Sequence, residues 1–184
     1  GEGRSPAWNL SLGTPIDSVP VVAAALDLIA LAWLALPVGR AAALLRSAHL
    51  PGAAGDARRH RAEVERRWLE RGVDPVRASD AIAALQARDG ALAARLAAMG
   101  ALAKRARRAT RHGWVDLWRE ALATAGWPGE RTLASAEHQA IRALDEHLAA
   151  FAALDALETR GRGEIAAGEA VGALTGILAA APFQ

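Results

Sequence analysis

The sequence predicts an all-α fold, an irregular bundle of about seven or eight helices. Apolar residues recur every three or four positions through long segments, as in the stripe of Leu92, Leu96, Met99 and Leu102. β-branched residues are few, and no segment alternates between apolar and polar residues as a half-buried strand does. Glycine and proline interrupt the apolar segments at spacings that suit helices of ordinary length. Hydrophobic residues make up 52% of the 184 residues, which is enough for a sizeable core.

The first half of the chain predicts five helices. Residues 1–14 show no periodicity, and we expect an irregular arm there, followed by a single helical domain over 15–184. Pro20 suits the first turn of a helix that ends before Pro37. The expected helices span about 20–36, 39–47, 57–71, 79–88 and 91–108. Asp56 is the expected N-cap of the third, and Asp89-Gly90 is expected to break or kink the chain before the fifth.

The run from Val19 to Val38 is the only candidate for a membrane span. Asp27 lies in its middle, where a charge at the centre of a bilayer costs about 2.5–3.5 kcal/mol. We therefore expect a core helix that is buried nearly all round and no membrane partner. The chain begins at Gly1 and shows no basic-then-apolar leader, so we expect an internal piece of a longer cytoplasmic protein.

The second half is organised around a stiff corner between two helices. Trp114 and Trp118 are four residues apart and share one face of the first helix. Gly126 is expected to end that helix in a left-handed conformation, and Pro128 prevents its immediate restart. Ser135 is the expected N-cap of the next helix, which we place at about 136–157. A turn at 160–163 and a last helix at about 167–180 complete the chain.

Several classes of enzyme are excluded by what the sequence lacks. There is no cysteine, and Lys104 is the only lysine among 22 lysines and arginines. No phosphate-binding loop, zinc-binding H-E-x-x-H helix or G-x-S-x-G nucleophile turn is present. Glu137, Asp145 and Glu146 could be imagined as a metal cluster, but Arg142 and His147 interleave with them and favour a solvated helix face. We therefore expect no catalytic residue, no metal and no cofactor in this chain.

A basic run precedes the corner and has no acidic residue within it. Its members, which are the candidate nucleic-acid-binding residues, are Lys104, Arg105, Arg107, Arg108, Arg111 and His112. Such a run can neutralise phosphates and release their counterions, or it can be only a solvated surface. Trp114 and Trp118 could stack on unpaired bases, but the adjacent Leu117 and Leu122 favour a place in the core. A second basic cluster, 58–67, contains Glu63 and Glu65, which favours a solvated face there.

Three stretches together resemble one family of bacterial DNA-repair proteins. The stretch from Arg40 to Leu50 is similar to the family's "LLRSPFL" segment, although Ala48-His49 replaces its Pro-aromatic pair, and a charged helix ending in 69–72 follows it as in the family. The segment 126–139 resembles the signature "GWPGER-x-L-x-S-x-E-x-Q". The end of the chain, 168–184, resembles "AGEAL…TPFQ". The family is the AddB-like "probable DNA repair protein" group, and the resemblance covers roughly 12–184.

The resemblance implies an internal helical domain of a larger protein, with an inactivated helicase and a C-terminal PD-(D/E)XK nuclease outside this chain. It would correspond in position to the inserted helical domain of superfamily-one helicases. The carried-over residues are structural: Trp127, Pro128, Arg131, Ser135, Glu137 and Gln139. Arg131 and Glu137 are expected to form an ion pair that fixes the corner. The implied partners are duplex or forked DNA, contacted without sequence specificity, and the neighbouring helicase-like and nuclease domains.

The function expected from the sequence is thus a non-catalytic accessory domain that positions DNA by backbone contacts. One alternative is a purely structural scaffold between domains, with no DNA contact, if the basic run is only arginine-rich surface. A second alternative is an enzyme in its own right, which the missing catalytic constellations disfavour.

Overall fold

The computed structural model describes residues 14–53, 55–156 and 163–183, and within them the fold is all-α, as the sequence predicts. Eight α-helices lie in this part of the chain. They are α1 (Pro20–Trp33), α2 (Val38–Arg46), α3 (Gly55–Glu70), α4 (Ala78–Leu85), α5 (Gly90–Ala103), α6 (Arg111–Ala125), α7 (Ser135–Ala153) and α8 (Ala167–Ala179).

Four strands of two residues each form two small antiparallel pairs that the sequence did not predict. β1 (Thr14–Pro15) pairs with β4 (Pro182–Phe183), and β2 (Arg108–Ala109) pairs with β3 (Ile165–Ala166). Two residues are too few for an alternating pattern to be visible in a sequence. Of the expected N-terminal arm only Thr14 lies within the described residues, and the expected turn at 160–163 lies almost entirely outside them.

α1 is the central helix of the bundle. It packs against α2, α5, α6, α7 and α8, and its residues from Val21 to Leu31 are buried almost without interruption. Asp27 is buried within it and pairs with Arg40 of α2. Burial raises the pKa of Asp27, and the charge of Arg40 opposes that rise. No helix in the described residues is long and apolar enough to cross a membrane.

A row of aromatic side chains joins α1, α6 and α7. Trp33 meets Trp114 edge-on at 5.8 Å between ring centroids. Trp114 is stacked with Trp118 at 6.2 Å, and Trp118 with Phe151 at 5.6 Å. Trp114 and Trp118 are fully buried, so the prediction that they belong to the core is confirmed, and neither can stack on a nucleic-acid base.

Several helix boundaries differ from the prediction by a few residues, and two of the differences have identifiable reasons. α5 ends at Ala103 rather than near Arg108, because β2 pairs there with β3 and draws the chain away from the helix axis. Ser135 is the first residue of α7 and not its cap. Instead the Glu137 carboxylate accepts a hydrogen bond of 2.8 Å from the Ala134 amide, so a longer acid performs the capping. The break at Asp89-Gly90 is present, since the Asp89 carboxylate accepts from the Leu92 amide at the start of α5.

The second basic cluster, 58–67, lies in α3 and was expected to form a solvated face. One of its arginines does not. Most of its arginines are at least partly exposed and pair with acids of the same helix or its neighbours; Arg67, for example, bonds to Glu63 at 3.1 Å, as expected. Arg61 instead is completely buried. Its guanidinium binds Asp89 and two backbone carbonyls, so it belongs to the interior of the bundle.

Candidate functional site

The predicted basic run does not form one continuous surface. Lys104 follows the last turn of α5, and Arg107 directly precedes β2. Both line a cleft of about 800 Å³ between the end of α1, the end of α5 and the beginnings of α4 and α8. Arg77, which precedes α4, lines the same cleft. The fold therefore brings together three cations from two segments that are distant in the sequence.

The described charged side chains that line this cleft are all cationic. Arg77, Lys104 and Arg107 are its only charged lining residues, and no acidic residue lies among the described residues that form its wall. All three side chains are exposed. Within the described part of the chain none of them makes a side-chain hydrogen bond or an ion pair. Three cations without counterions in one concave surface attract an anion, because the walls of a cleft focus their field.

Two helix beginnings and two helix ends meet at the cleft. Ala78 and Ser79 of α4, and Ala167 and Gly168 of α8, line the cleft with their first turns. The helix dipole makes the beginnings of α4 and α8 partly positive and the ends of α1 and α5 partly negative. These contributions oppose each other, so the three cationic side chains set the sign of the potential in the cleft.

The indole of Trp33 also contributes to the cleft. It lines the wall, and its Nε1 atom is buried without a hydrogen-bond partner among the described residues.

The other members of the basic run have protein partners. Arg105 binds the carboxylate of Glu120 at 3.1 and 3.2 Å. Arg108 lies in β2, and its guanidinium donates to the Glu164 carbonyl at 2.5 Å. Both side chains remain exposed, so they can still add charge to the rim, but their orientation is already set by these contacts.

Arg111 and His112 are held at the start of α6 by Asp155. The Arg111 and His112 amides donate to this carboxylate at 3.1 and 2.8 Å, and the Arg111 guanidinium reaches it at 3.3 Å. Burial would raise the pKa of Asp155, but these hydrogen bonds outweigh burial and lower it. The Arg111 side chain is only 18% exposed, whereas the His112 ring is exposed and lies 3.5 Å from Asp116. The residues next to Arg111 in the sequence give no sign of this partner, because Asp155 lies 44 residues away.

The corner after α6 packs against the loop after α2. Gly126 has φ +81°, the left-handed conformation predicted for it. The Trp127–Pro128 peptide is cis. Trp127 is half-buried, and its Nε1 atom donates to the Val21 carbonyl at 2.9 Å. The His49 Nε2 atom lies 3.6 Å from Glu137, so two of the stretches that carry the family resemblance, 40–50 and 126–139, are neighbours in space.

Arg131 and Glu137 form the expected ion pair. The hydrogen bond from Arg131, followed by that from the Ala134 amide, lowers the pKa of Glu137. His49 is buried, with its Nε2 atom 3.6 Å from Glu137. Burial lowers the pKa of His49, and the charge of Arg131 lowers it further. Ser135 and Gln139, the other two carried-over positions, are exposed.

We expect Gly129→Ala to destabilise the corner. Gly129 has φ +92°, and an added Cβ would lie 2.9 Å from the Ala48 carbonyl oxygen. A left-handed conformation alone costs an L-residue about 1–2 kcal/mol, so with the backbone clash we expect a loss of at least about 2 kcal/mol in urea unfolding. Gly172→Ala is the control: it lies within α8 with open space around it, and we expect a gain of about 0.5–1 kcal/mol. Equal stability of the two variants would contradict the contact.

No group of three or more histidine, aspartate or glutamate side chains is placed to hold a metal ion in 14–53, 55–156 or 163–183. The carboxylates of Asp145 and Glu146 lie on exposed positions of α7, where Asp145 pairs with Arg119 at 2.6 Å. No protein-family model, curated protein or solved structure matches the chain.

Proposed function

We propose that this chain is a non-catalytic accessory domain that holds DNA by its phosphate backbone, as part of a DNA-repair helicase- or nuclease-like protein. One observation carries the proposal: a cleft whose only charged lining residues are Arg77, Lys104 and Arg107, each without a protein partner in the described residues. Unpaired cations that converge from separate segments are more informative than a basic run, since the fold can pair a run internally, as it does at Arg111.

The chemistry of the cleft suits phosphates and offers little for reading bases. Phosphate oxygens accept hydrogen bonds from guanidinium groups, ammonium groups and helix amides, and such contacts carry no sequence information. The conspicuous stacking candidates of the sequence, Trp114 and Trp118, are inside the core. We therefore propose binding that depends on charge and shape rather than on sequence.

The choice of DNA among polyanions, and of a DNA-repair protein as the parent, rests on the family resemblance.

A structural scaffold is the second candidate, and a groove between α6 and α7 favours it. This groove of about 530 Å³ is lined by apolar side chains that include Leu122, Trp127 and Ile141, and by the polar residues Arg119, His138, Arg142 and Asp145. A groove between two helices with apolar side chains and a polar rim can pack against a neighbouring domain. On this reading the chain binds no DNA, and the cationic cleft is only surface.

The proposal predicts that neutralising the cleft weakens DNA binding. The test variant is Arg77→Gln/Lys104→Gln/Arg107→Gln. Three exposed charge contacts of about 0.5–1 kcal/mol each correspond to a weakening of roughly tenfold or more. Fluorescence anisotropy with forked, duplex and single-stranded DNA measures it.

The control is Arg58→Gln/Arg66→Gln/Arg142→Gln, which removes the same charge from exposed positions elsewhere. We expect its affinity to stay within about threefold of the unaltered chain, as a change in net charge alone has only a long-range, screened effect. Equal weakening in both variants would refute a localised site. No binding by the unaltered chain at low salt would favour the scaffold.

A further inference from the structure

A second cleft, on the other side of α4, has a different character. It measures about 460 Å³ and lies between α3 and α4, within the range of ordinary small-molecule sites. Its floor is apolar, with Val64 and Trp68 from α3 and Val73 beyond it. Opposite this floor lie the small residues Ala83 and Ala84 of α4 and Ala87 of the turn that follows it. Small residues opposite a tryptophan leave space for a flat apolar group.

His60 gives this cleft a buried polar group with no protein partner. It is 5% exposed and forms part of the cleft wall. Neither ring nitrogen has a hydrogen-bond partner in the described part of the chain. The nearest carboxylate oxygen, Oε2 of Glu63, is 3.9 Å from Nδ1, beyond hydrogen-bonding distance. Because buried polar atoms in folded proteins are nearly always satisfied, the unpaired imidazole points to a ligand that hydrogen-bonds with it.

The rim of the cleft is cationic. Arg67, Arg71 and Arg88 line it, and Asp80 is the only acid among the described residues that does. Arg67 and Arg88 both bind Glu63, at 3.1 and 3.3 Å, which holds them beside the cleft. The Arg71 guanidinium is exposed and has no partner in the described residues.

Asp80 is already engaged in the fold. Its carboxylate accepts a hydrogen bond of 2.8 Å from the Arg77 amide at the start of α4. Among the described residues, Arg71 is thus the cation of this rim that has no partner.

We infer that this cleft binds a small organic anion: a carboxylate or sulfonate with a flat apolar body. The body would lie against Trp68 and the α4 alanines, the anionic group would meet Arg71, and His60 would hydrogen-bond to a polar atom of the ligand. This site is independent of the proposed DNA contact. α4 separates the two clefts, with Ala78 and Ile82 facing the first and Ala83 and Ala84 facing the second.

The test uses two probes of similar shape and different charge. Anilinonaphthalene sulfonate is the anion, and phenylnaphthylamine is its uncharged counterpart; both fluoresce more strongly in apolar surroundings. We expect saturable binding of both, with the sulfonate bound about tenfold more tightly through its charge-assisted contact. Arg71→Gln should remove that preference and leave the affinity for the neutral probe unchanged.

Filling the cleft tests its location. Ala84→Leu should weaken the binding of both probes at least about tenfold. Ala123→Leu, in the groove between α6 and α7, should change the affinity for neither probe. His60→Phe keeps a buried ring but has no ring nitrogen, so it should weaken the binding of the sulfonate several-fold. Far-UV circular dichroism checks that each variant is folded.

Three results would overturn the inference. They are the absence of saturable sulfonate binding by the unaltered chain, a charge preference that survives Arg71→Gln, and a loss of binding in Ala123→Leu instead of Ala84→Leu. None of these results bears on DNA binding, because the cationic residues of the first cleft are untouched.

Discussion

Trp118→Ala should cost about 3–5 kcal/mol of unfolding free energy, the usual range for deleting a buried tryptophan. Trp118 is fully buried and is stacked on one side with Trp114 and on the other with Phe151. It therefore joins α6 to α7, and its removal leaves a cavity that rigid rings on both sides cannot fill. Urea unfolding followed by far-UV circular dichroism measures the loss.

Trp118→Phe is the matched control. The Trp118 Nε1 atom is buried without a partner in the described residues, so phenylalanine loses area but also removes an unsatisfied donor. We expect a cost of about 1–2 kcal/mol, clearly below that of alanine. A Trp118→Ala cost below about 1.5 kcal/mol would mean that the aromatic row does not hold the two helices together.

Arg61→Met should be similarly destabilising, by about 3–5 kcal/mol, because it leaves a buried partner charge uncompensated. The Arg61 guanidinium is inaccessible to solvent and lies 2.7 Å from both the Asp89 carboxylate and the Pro51 carbonyl. It thereby links α3 to the loop after α2 and to the cap of α5. Methionine retains much of the apolar stem, so the loss reports chiefly on the polar contacts.

Two further variants test this interpretation. Arg61→Lys keeps the charge but not the several N–H donors of the guanidinium group. We expect it to lose about half as much unfolding free energy as Arg61→Met. Arg58→Met, at an exposed position on the same helix, should stay within about 0.5 kcal/mol of the unaltered chain. Thermal and urea unfolding compare the four proteins. A tolerated Arg61→Met would contradict the buried network.

The parts of the fold that follow from local pattern could be predicted from the sequence. The apolar run around Asp27 predicted the central helix, and Gly126 predicted the end of α6, because both depend on nearest neighbours along the chain. The stripe from Leu92 to Met99 likewise predicted the buried face of α5. The ion pair between Arg131 and Glu137 lies within one corner and could be expected for the same reason.

The composition of the candidate site could not be predicted, because it depends on contacts between distant segments. Arg77 is far from Lys104 in sequence, and only the packing of α4 against α5 brings it to the cleft. Arg111 does not belong to the free basic surface, because it is held by Asp155, which lies 44 residues away in the sequence. The burial of Arg61 could not be predicted for the same reason. It has charged neighbours in the sequence, but its partner Asp89 lies 28 residues away.

The most direct test of the central claim is the salt dependence of DNA binding. A protein that neutralises phosphates releases counterions, so log affinity falls linearly with log salt, by about 0.9 per phosphate contact on duplex DNA. Anisotropy titrations across a salt series compare the unaltered chain with Arg77→Gln/Lys104→Gln/Arg107→Gln. We expect a linear dependence whose slope is shallower by roughly 2–3 in the variant. Identical slopes would show that the cleft makes no phosphate contact and would contradict the proposed function.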